Sequence, residues 1–348
     1  MSGARATIMN QDTLTSTARE LVAPAKGILA ADESFSTIGK RLASIGVENT
    51  EENRRSYRDL LFSTPGVEAY ISGVIMFEET LGQRTSEGKL FTEALTERGI
   101  IPGIKVDLGA KPLALHNNEL VTSGLDGLRE RLVGFREQGA RFAKWRAVIT
   151  IGDGIPSEAC IVANAHALAH YAALCQEAEI VPIVEPEVLM DGGHDIDRCE
   201  QVTSRTLGEV FTALRRHDVL LEGILLKPNM VISGTESASQ ASISEVAERT
   251  MRCLLRNVPA AVPGIVFLSG GQDDVLATAH LNAMNGLHVD TPWELSFSYG
   301  RALQQGALKA WGGKPEQFAA GQKAFFQRAK ANSAACSGRW DQGLEKTA

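Results

Sequence analysis

Eight short runs of apolar and β-branched residues recur along this chain of 348 residues, each closing on, or followed at once by, polar residues or glycine. They are Gly27–Glu33, Ile71–Glu79, Ile101–Asp107, Arg141–Ile149, Ile180–Glu187, Leu221–Asn229, Gly264–Gly271 and Trp293–Gly300. Apolar runs of this length, bounded by turn-forming residues, read as buried strands. Their starts fall about 30 to 45 residues apart, which leaves room for a crossover helix and two loops. Helical patterns fill those gaps. Thr122–Gln138 is one, and Ser157–Glu177, opened by Pro156-Ser157, is another. Strand followed by helix, eight times over, is the pattern of an α/β chain closed into a (β/α)8 TIM barrel. Nothing in the sequence marks an internal boundary. We therefore expect one domain over residues 1–348, with the barrel at about 25–330, a helix around Leu14–Val22 before it and a flexible tail at about 337–348.

Composition narrows the function classes. The chain is 44% hydrophobic with a formal net charge of -7, enough apolar material for a large core and a poor match to nucleic acid or lipid headgroups. No apolar run approaches the ~20 residues of a membrane span, and the polar N-terminus lacks a signal-peptide pattern. The five cysteines, Cys160, Cys175, Cys199, Cys253 and Cys336, are far apart and form no C-x-x-C pair. That is the usage of a reducing compartment. The expectation is a soluble cytoplasmic protein that binds neither nucleic acid nor membrane.

Charged residues, and one amide, gather where the strands should end: Asp32 and Glu33, Lys105 and Asp107, Lys144 and Arg146, Glu185 and Glu187, Lys227 and Asn229. Residues i and i+2 on a strand point the same way, so each i, i+2 pair can face the barrel interior together. The C-terminal face of such a barrel is where catalysis is built. Lys227 is the most informative of the set, because Gly223–Leu226 before it is wholly apolar. Burial makes an ammonium expensive, so such a lysine is paired, neutral at working pH, or both. A neutral lysine is a nucleophile able to form a Schiff base with a carbonyl. The bland reading is a lysine that reaches water from a strand end.

Two anion sites are expected. Ser269-Gly270-Gly271 and Ser298-Tyr299-Gly300-Arg301 end the seventh and eighth runs, the usual phosphate pocket of this fold, where backbone N–H groups and a helix N-terminus meet the anion. Arg301 can add a bidentate grip. A second anion could be held by Lys105 with groups around Ser34, Ser36 and Thr37, where a helix carrying Lys40 and Arg41 begins; those two can equally be solvated helix charges. Together these parts suit covalent activation of a ketone on a phosphorylated sugar. Lys227 would attack the carbonyl, Lys144 would disfavour its charged form, and Glu185 and Glu187 would divide the proton transfers. Asp32 could take the hydroxyl proton as the bond breaks. Glu187 could instead merely hold a lysine, and Asp32-Glu33 could be a helix cap.

The sequence also resembles a known family. Gly27-Ile28-Leu29-Ala30-Ala31-Asp32-Glu33-Ser34, Phe142-Ala143-Lys144-Trp145-Arg146, Val181-Pro182-Ile183-Val184-Glu185-Pro186-Glu187, Leu225-Leu226-Lys227-Pro228-Asn229-Met230-Val231, Phe267-Leu268-Ser269-Gly270-Gly271 and Phe297-Ser298-Tyr299-Gly300-Arg301-Ala302-Leu303 closely resemble class I fructose-1,6-bisphosphate aldolase, from about Thr17 to Cys336. The resemblance implies Lys227 as the Schiff-base lysine, Glu185 as the main acid/base, and Asp32 and Lys144 as its partners. It implies Ser269, Gly270, Gly300 and Arg301 at the 1-phosphate, Lys105, Thr37 and Arg146 toward the 6-phosphate, no cofactor, phosphorylated ketose and triose substrates, and a homotetramer. Two departures stand out. Phe35-Ser36 replaces the Thr-Gly common in the family, and no tyrosine follows Tyr299, where the family has a tyrosine tail.

Other classes fit the sequence less well. A metal-dependent aldolase would need convergent ligands. His166 and His170 stand i, i+4 on a helix expected outside the barrel, and His194 follows the fifth run. Pyridoxal phosphate also uses a lysine, but leaves Lys144 and two phosphate grips without a purpose. A non-catalytic scaffold would not require the polar mouth, and a transaldolase-like lyase would not require the second phosphate site.

Overall fold

The structure, a computed structural model, describes residues 10–287 and 289–345. In chain order it contains α1 (Gln11–Leu21), β1 (Gly27–Ala31), α2 (Phe35–Ala43), α3 (Glu51–Phe62), β2 (Ile71–Met76), α4 (Glu78–Leu81), α5 (Phe91–Glu97), β3 (Ile101–Lys105), β4 (Ala110–Pro112), β5 (Leu120–Thr122), α6 (Leu128–Glu137), β6 (Phe142–Ile149) and α7 (Glu158–Glu177). It continues with β7 (Val181–Val188), α8 (Ile196–Arg216), β8 (Leu225–Leu226), α9 (Ile243–Asn257), β9 (Gly264–Phe267), α10 (Asp274–Gly286), β10 (Glu294–Tyr299), α11 (Arg301–Trp311) and α12 (Phe318–Ala335). Eight of the strands close a parallel barrel in the order β1-β10-β9-β8-β7-β6-β3-β2, and β1 pairs with β10 on one side and β2 on the other. This is the expected TIM barrel.

Two apolar cores hold it. The larger lies between the strands and the surrounding helices, with Trp145, Tyr171, Phe267 and Phe297 fully buried in it. The smaller fills the barrel itself, where Ile28, Ile75, Phe142, Ile183, Leu225 and Val266 meet Leu14, Ala18 and Leu21 of α1. Helix α1 thus plugs the N-terminal end of the ring. Phe142 explains two glycines there: a Cβ on Gly103 would lie 2.4 Å from its ring, and one on Gly73 would meet Leu21 at 2.7 Å and Phe142 at 3.1 Å. With apolar layers below, the polar side chains are confined to the opposite, C-terminal mouth.

Two local expectations are corrected. The run Thr122–Gln138 does not start a helix at Thr122. Leu120–Thr122 pairs antiparallel with Ala110–Pro112 as a hairpin, and α6 begins only after Gly124 and Gly127, both at positive φ. Leu221–Asn229 is not one strand, since Leu221–Gly223 is a 3-10 turn and only Leu225 and Leu226 form β8. Gly223 packs on Leu14 of α1, which bends the chain before it joins the ring. The segment expected as a flexible tail is laid against the helices as far as it is described. Trp340 N donates to Asn282 Oδ1 at 2.8 Å, its indole Nε1 donates to Glu345 at 2.8 Å, and Glu345 pairs with Arg328. The Trp340 ring packs on the main core, an anchor a polar tail would lack. Residues 346–348 fall outside the described residues. Among the described residues no helix is long and apolar enough to cross a membrane.

Candidate active site

A cavity of about 910 Å³ opens at the C-terminal ends of the strands. It is lined by Asp32, Lys144, Glu185, Glu187 and Lys227, by Ser269, Gly270, Gly271, Gly300 and Arg301, and by Ser34, Thr37, Lys105 and Arg146. Of the five residue pairs picked out at the strand ends, Asn229 alone is missing from its lining. Its Oδ1 accepts from Val188 N at 3.0 Å and its Nδ2 donates to Thr203 Oγ1 at 3.1 Å, so the amide ties β7 to α8. The i, i+2 argument fails there for a physical reason. Lys227 N still donates to Val184 O at 2.8 Å and Leu268 N to Pro228 O at 3.2 Å, but Pro228 itself has no N–H to donate. Beyond the last strand residue, alternation no longer fixes direction.

The centre of the cavity is a chain of two lysines and two carboxylates. Lys227 is only 3% exposed, and its Nζ lies 3.3 Å from Glu185 Oε1. Glu185 Oε2 lies 3.4 Å from Lys144 Nζ, and that ammonium in turn is 2.7 Å from Asp32 Oδ2. Strand register explains the placement. Lys144 of β6 sits beside Ile183 of β7, so its long side chain reaches Glu185 one pleat higher on the same face. Burial acts to raise the Asp32 carboxyl, but Lys144, Lys227 and Lys105 outweigh it and hold it down at about 2. Burial likewise pulls Lys144 down, yet Asp32, Glu185 and Asp107 hold it above the usual lysine range. That pair is therefore locked as an ion pair at neutral pH. Glu185 is the less committed carboxylate: its Oε2 is buried and makes no hydrogen bond.

Glu187 is differently engaged. Although Arg146 sits beside Glu185 in the strand register, its Nε donates to Glu187, two residues on. Lys105 folds onto its own strand end, with Nζ 2.7 Å from Asp107 O and 2.8 Å from Asp107 Oδ1.

Glycine geometry shapes the anion end. Gly270 and Gly271 have φ of +56° and +88°, left-handed values that suit glycine and turn the loop after β9 into the mouth. Arg301, at the first turn of α11, donates to Gly271 O across that loop. The Ser298 hydroxyl on β10 is buried, lines the same cavity and makes no hydrogen bond. At the other end, Ser34 precedes α2 without accepting from a backbone N–H of the helix, and its hydroxyl lies 3.2 Å from both Ser36 Oγ and Thr37 Oγ1.

Arg41, which the sequence leaves open between site residue and solvated charge, belongs to the site. It lines the cavity and pairs with Glu33, which also takes Arg58 and Gln304. A signal was present. Thr37 and Arg41 are i, i+4 and share a helix face, whereas Lys40 falls on the exposed side. His166 and His170 lie on α7 outside the ring, where they gather with His217; neither they nor His194 line the cavity.

A buried amine, a carboxylate able to exchange protons with it, a fixed ion pair and anion cradles at both ends suit carbonyl chemistry on a phosphorylated substrate. Comparison with known proteins agrees. The family model described as glycolytic, fructose-bisphosphate aldolase class-I, matches residues 13–348. A probable fructose-bisphosphate aldolase class 1 of Xanthomonas axonopodis pv. citri (strain 306) is 59% identical over 333 residues, 95% of this chain and 99% of that one. The cytosolic fructose-bisphosphate aldolase 4 of Arabidopsis thaliana is 57% identical over 334 residues, 96% of this chain and 85% of that one. Among solved structures, the fructose-bisphosphate aldolase of Plasmodium falciparum in complex with TRAP and a small-molecule inhibitor superposes with a TM-score of 0.93 at 50% identity, covering 95% of each chain.

Proposed function

Since this chain belongs to the class-I fructose-bisphosphate aldolase family, we propose that Lys227 is the amine through which it works. The enzyme cleaves fructose 1,6-bisphosphate reversibly to dihydroxyacetone phosphate and glyceraldehyde 3-phosphate through a lysine Schiff base. The observation that carries the assignment is the contact at 3.3 Å between the buried Lys227 amine and Glu185, whose other oxygen faces Lys144.

In this reading Lys227 Nζ adds to the C2 ketone, and Glu185 takes the amine proton and returns it to the departing hydroxyl as water leaves. The iminium draws the electrons of the C3–C4 bond onto nitrogen as Asp32 accepts the C4 hydroxyl proton and the aldehyde departs. A carboxylate held at about 2 is a weak base at rest, so this transfer depends on the electron demand of the iminium. Glu185 or water then protonates the enamine carbon, and hydrolysis frees the ketone and Lys227. Borohydride reduction with dihydroxyacetone phosphate, run in EDTA and followed by peptide mapping, tests the assignment. The triose mass should appear on the peptide containing Lys227; a label on Lys144 or Lys105 would refute it.

The same reading puts the 1-phosphate at Ser269, Gly270, Gly271, Gly300 and Arg301, and the 6-phosphate toward Ser34, Thr37, Lys105 and Arg146. Arg301→Ala should raise KM for 1-phosphorylated ligands by the equivalent of roughly 1.5–3 kcal/mol, with kcat little changed. An unchanged KM for dihydroxyacetone phosphate in the reverse reaction would remove Arg301 from the site. A homotetramer in the cytoplasm completes the reading; the cytosolic relatives support the compartment, and light scattering reads the assembly directly.

A further inference from the structure

Phe35 opens α2 at the rim of the cavity, between Ser34 and Thr37, which both line it. The residue is 49% exposed, yet its ring is not without partners. It has two. Its ring stands edge-on to Phe77 at 5.1 Å between centroids, and the Arg54 guanidinium lies over it at 4.8 Å. Phe77 follows β2, caps α4 and lines the cavity. Arg54 is itself fixed, donating twice to Glu79 of α4 and from Nη1 to Asn49 O and Oδ1 at 3.1 Å. Asn49 closes the circuit by donating from Nδ2 to Phe35 O at 3.2 Å, and it packs against α2 where Gly39 has no side chain. The first turn of α2 is thus tied to α3 and α4 through one aromatic ring and one amide, while its own cap, Ser34, accepts from no backbone N–H of the helix and bonds only to the hydroxyls of Ser36 and Thr37.

We propose that Phe35 is a specificity-determining positioning residue: by clamping the first turn of α2 against Arg54 and Phe77, it holds Ser34, Thr37 and the helix N-terminus in place for the phosphate distant from the reacting carbonyl. Phe35 touches no substrate in this proposal. It removes the entropy that the turn would otherwise lose on binding, and so sets how strongly the enzyme favours a doubly over a singly phosphorylated ketose. The proposal rests on the placement of the 6-phosphate near Thr37, and the test separates the two.

The experiment measures kcat and KM for fructose 1,6-bisphosphate and fructose 1-phosphate with the wild type, Phe35→Thr, Phe35→Tyr and Thr37→Ala. Phe35→Thr should raise KM for the bisphosphate about five- to tenfold, the scale expected from removing one aromatic pair together with one cation–π interaction. Its kcat should hold, and KM for the monophosphate should move by less than about twofold. Phe35→Tyr, which keeps the ring and both of its partners, should behave as wild type. Thr37→Ala should also act on the bisphosphate alone. A selective effect of Thr37→Ala with none from Phe35→Thr overturns the clamp and leaves the phosphate placement standing. Equal losses on both substrates in Phe35→Thr overturn it too, since general destabilisation would do the same. If Thr37→Ala shows no selectivity, the phosphate placement fails and the clamp with it.

Discussion

Lys227→Met should fold as the wild type does and lose cleavage by roughly 10⁴-fold or more, the scale on which covalent nucleophiles are missed in other enzymes. Methionine is unbranched like lysine and only one atom shorter, so it fills most of the same dry space without a charge. The substitution is tolerable because Glu185 keeps a counter-ion: Lys144 remains 3.4 Å from its Oε2, so no buried carboxylate is stranded. Circular dichroism and thermal melting would report the fold, and a coupled assay the rate. Retention of more than about one part in a hundred of the activity, with the fold intact, would mean that another amine carries the chemistry.

Glu185→Gln should lower kcat by about 10²- to 10⁴-fold, as expected for a lost general acid and base, while KM changes little. Glutamine keeps the shape and its carbonyl can still accept from a lysine, but it cannot pass a proton between amine and substrate. Glu187→Gln is the informative comparison. Glu187 is bound to Arg146, whereas Glu185 bridges Lys227 and Lys144 with one oxygen lacking a hydrogen bond. The Glu187 variant should therefore lose less than the Glu185 variant. The reverse order would move the acid/base role to Glu187.

The barrel was legible because its signal is repetitive: each of the eight runs contains a barrel strand, though several strands are shorter than their runs. The mouth was legible for a related reason. Charges at the ends of apolar strands have few stable places to go, and Lys105, Lys144, Glu185, Glu187 and Lys227 all went there. Elsewhere, local pattern was overruled by tertiary packing. Asn229 obeyed the spacing but not the direction, because its amide is taken up by Val188 N and Thr203 Oγ1. Thr122 read as helical and was taken into a hairpin by a partner about ten residues upstream, which no periodicity encodes. The difference between Glu185 and Glu187 was invisible in Pro-flanked strand sequence, since it depends on which neighbour Arg146 chooses. Trp340 stands in a polar segment with no periodicity, so its contacts with Asn282 and the main core had no local signal.

Closure of the ring between its first strand and its last has a consequence for biosynthesis. As the chain leaves the ribosome, α1 and β1 emerge first, yet one edge of β1 waits for β10, more than two hundred residues later. Until then that edge lies bare, a standing invitation to the wrong neighbour. The lysines and carboxylates of the mouth meanwhile lack one strand of the wall around them and stay open to water. The reactive centre is thus among the last features of the molecule to come into being, and a ribosome stalled before Tyr299 carries a nearly complete chain with no dry place in which to do chemistry.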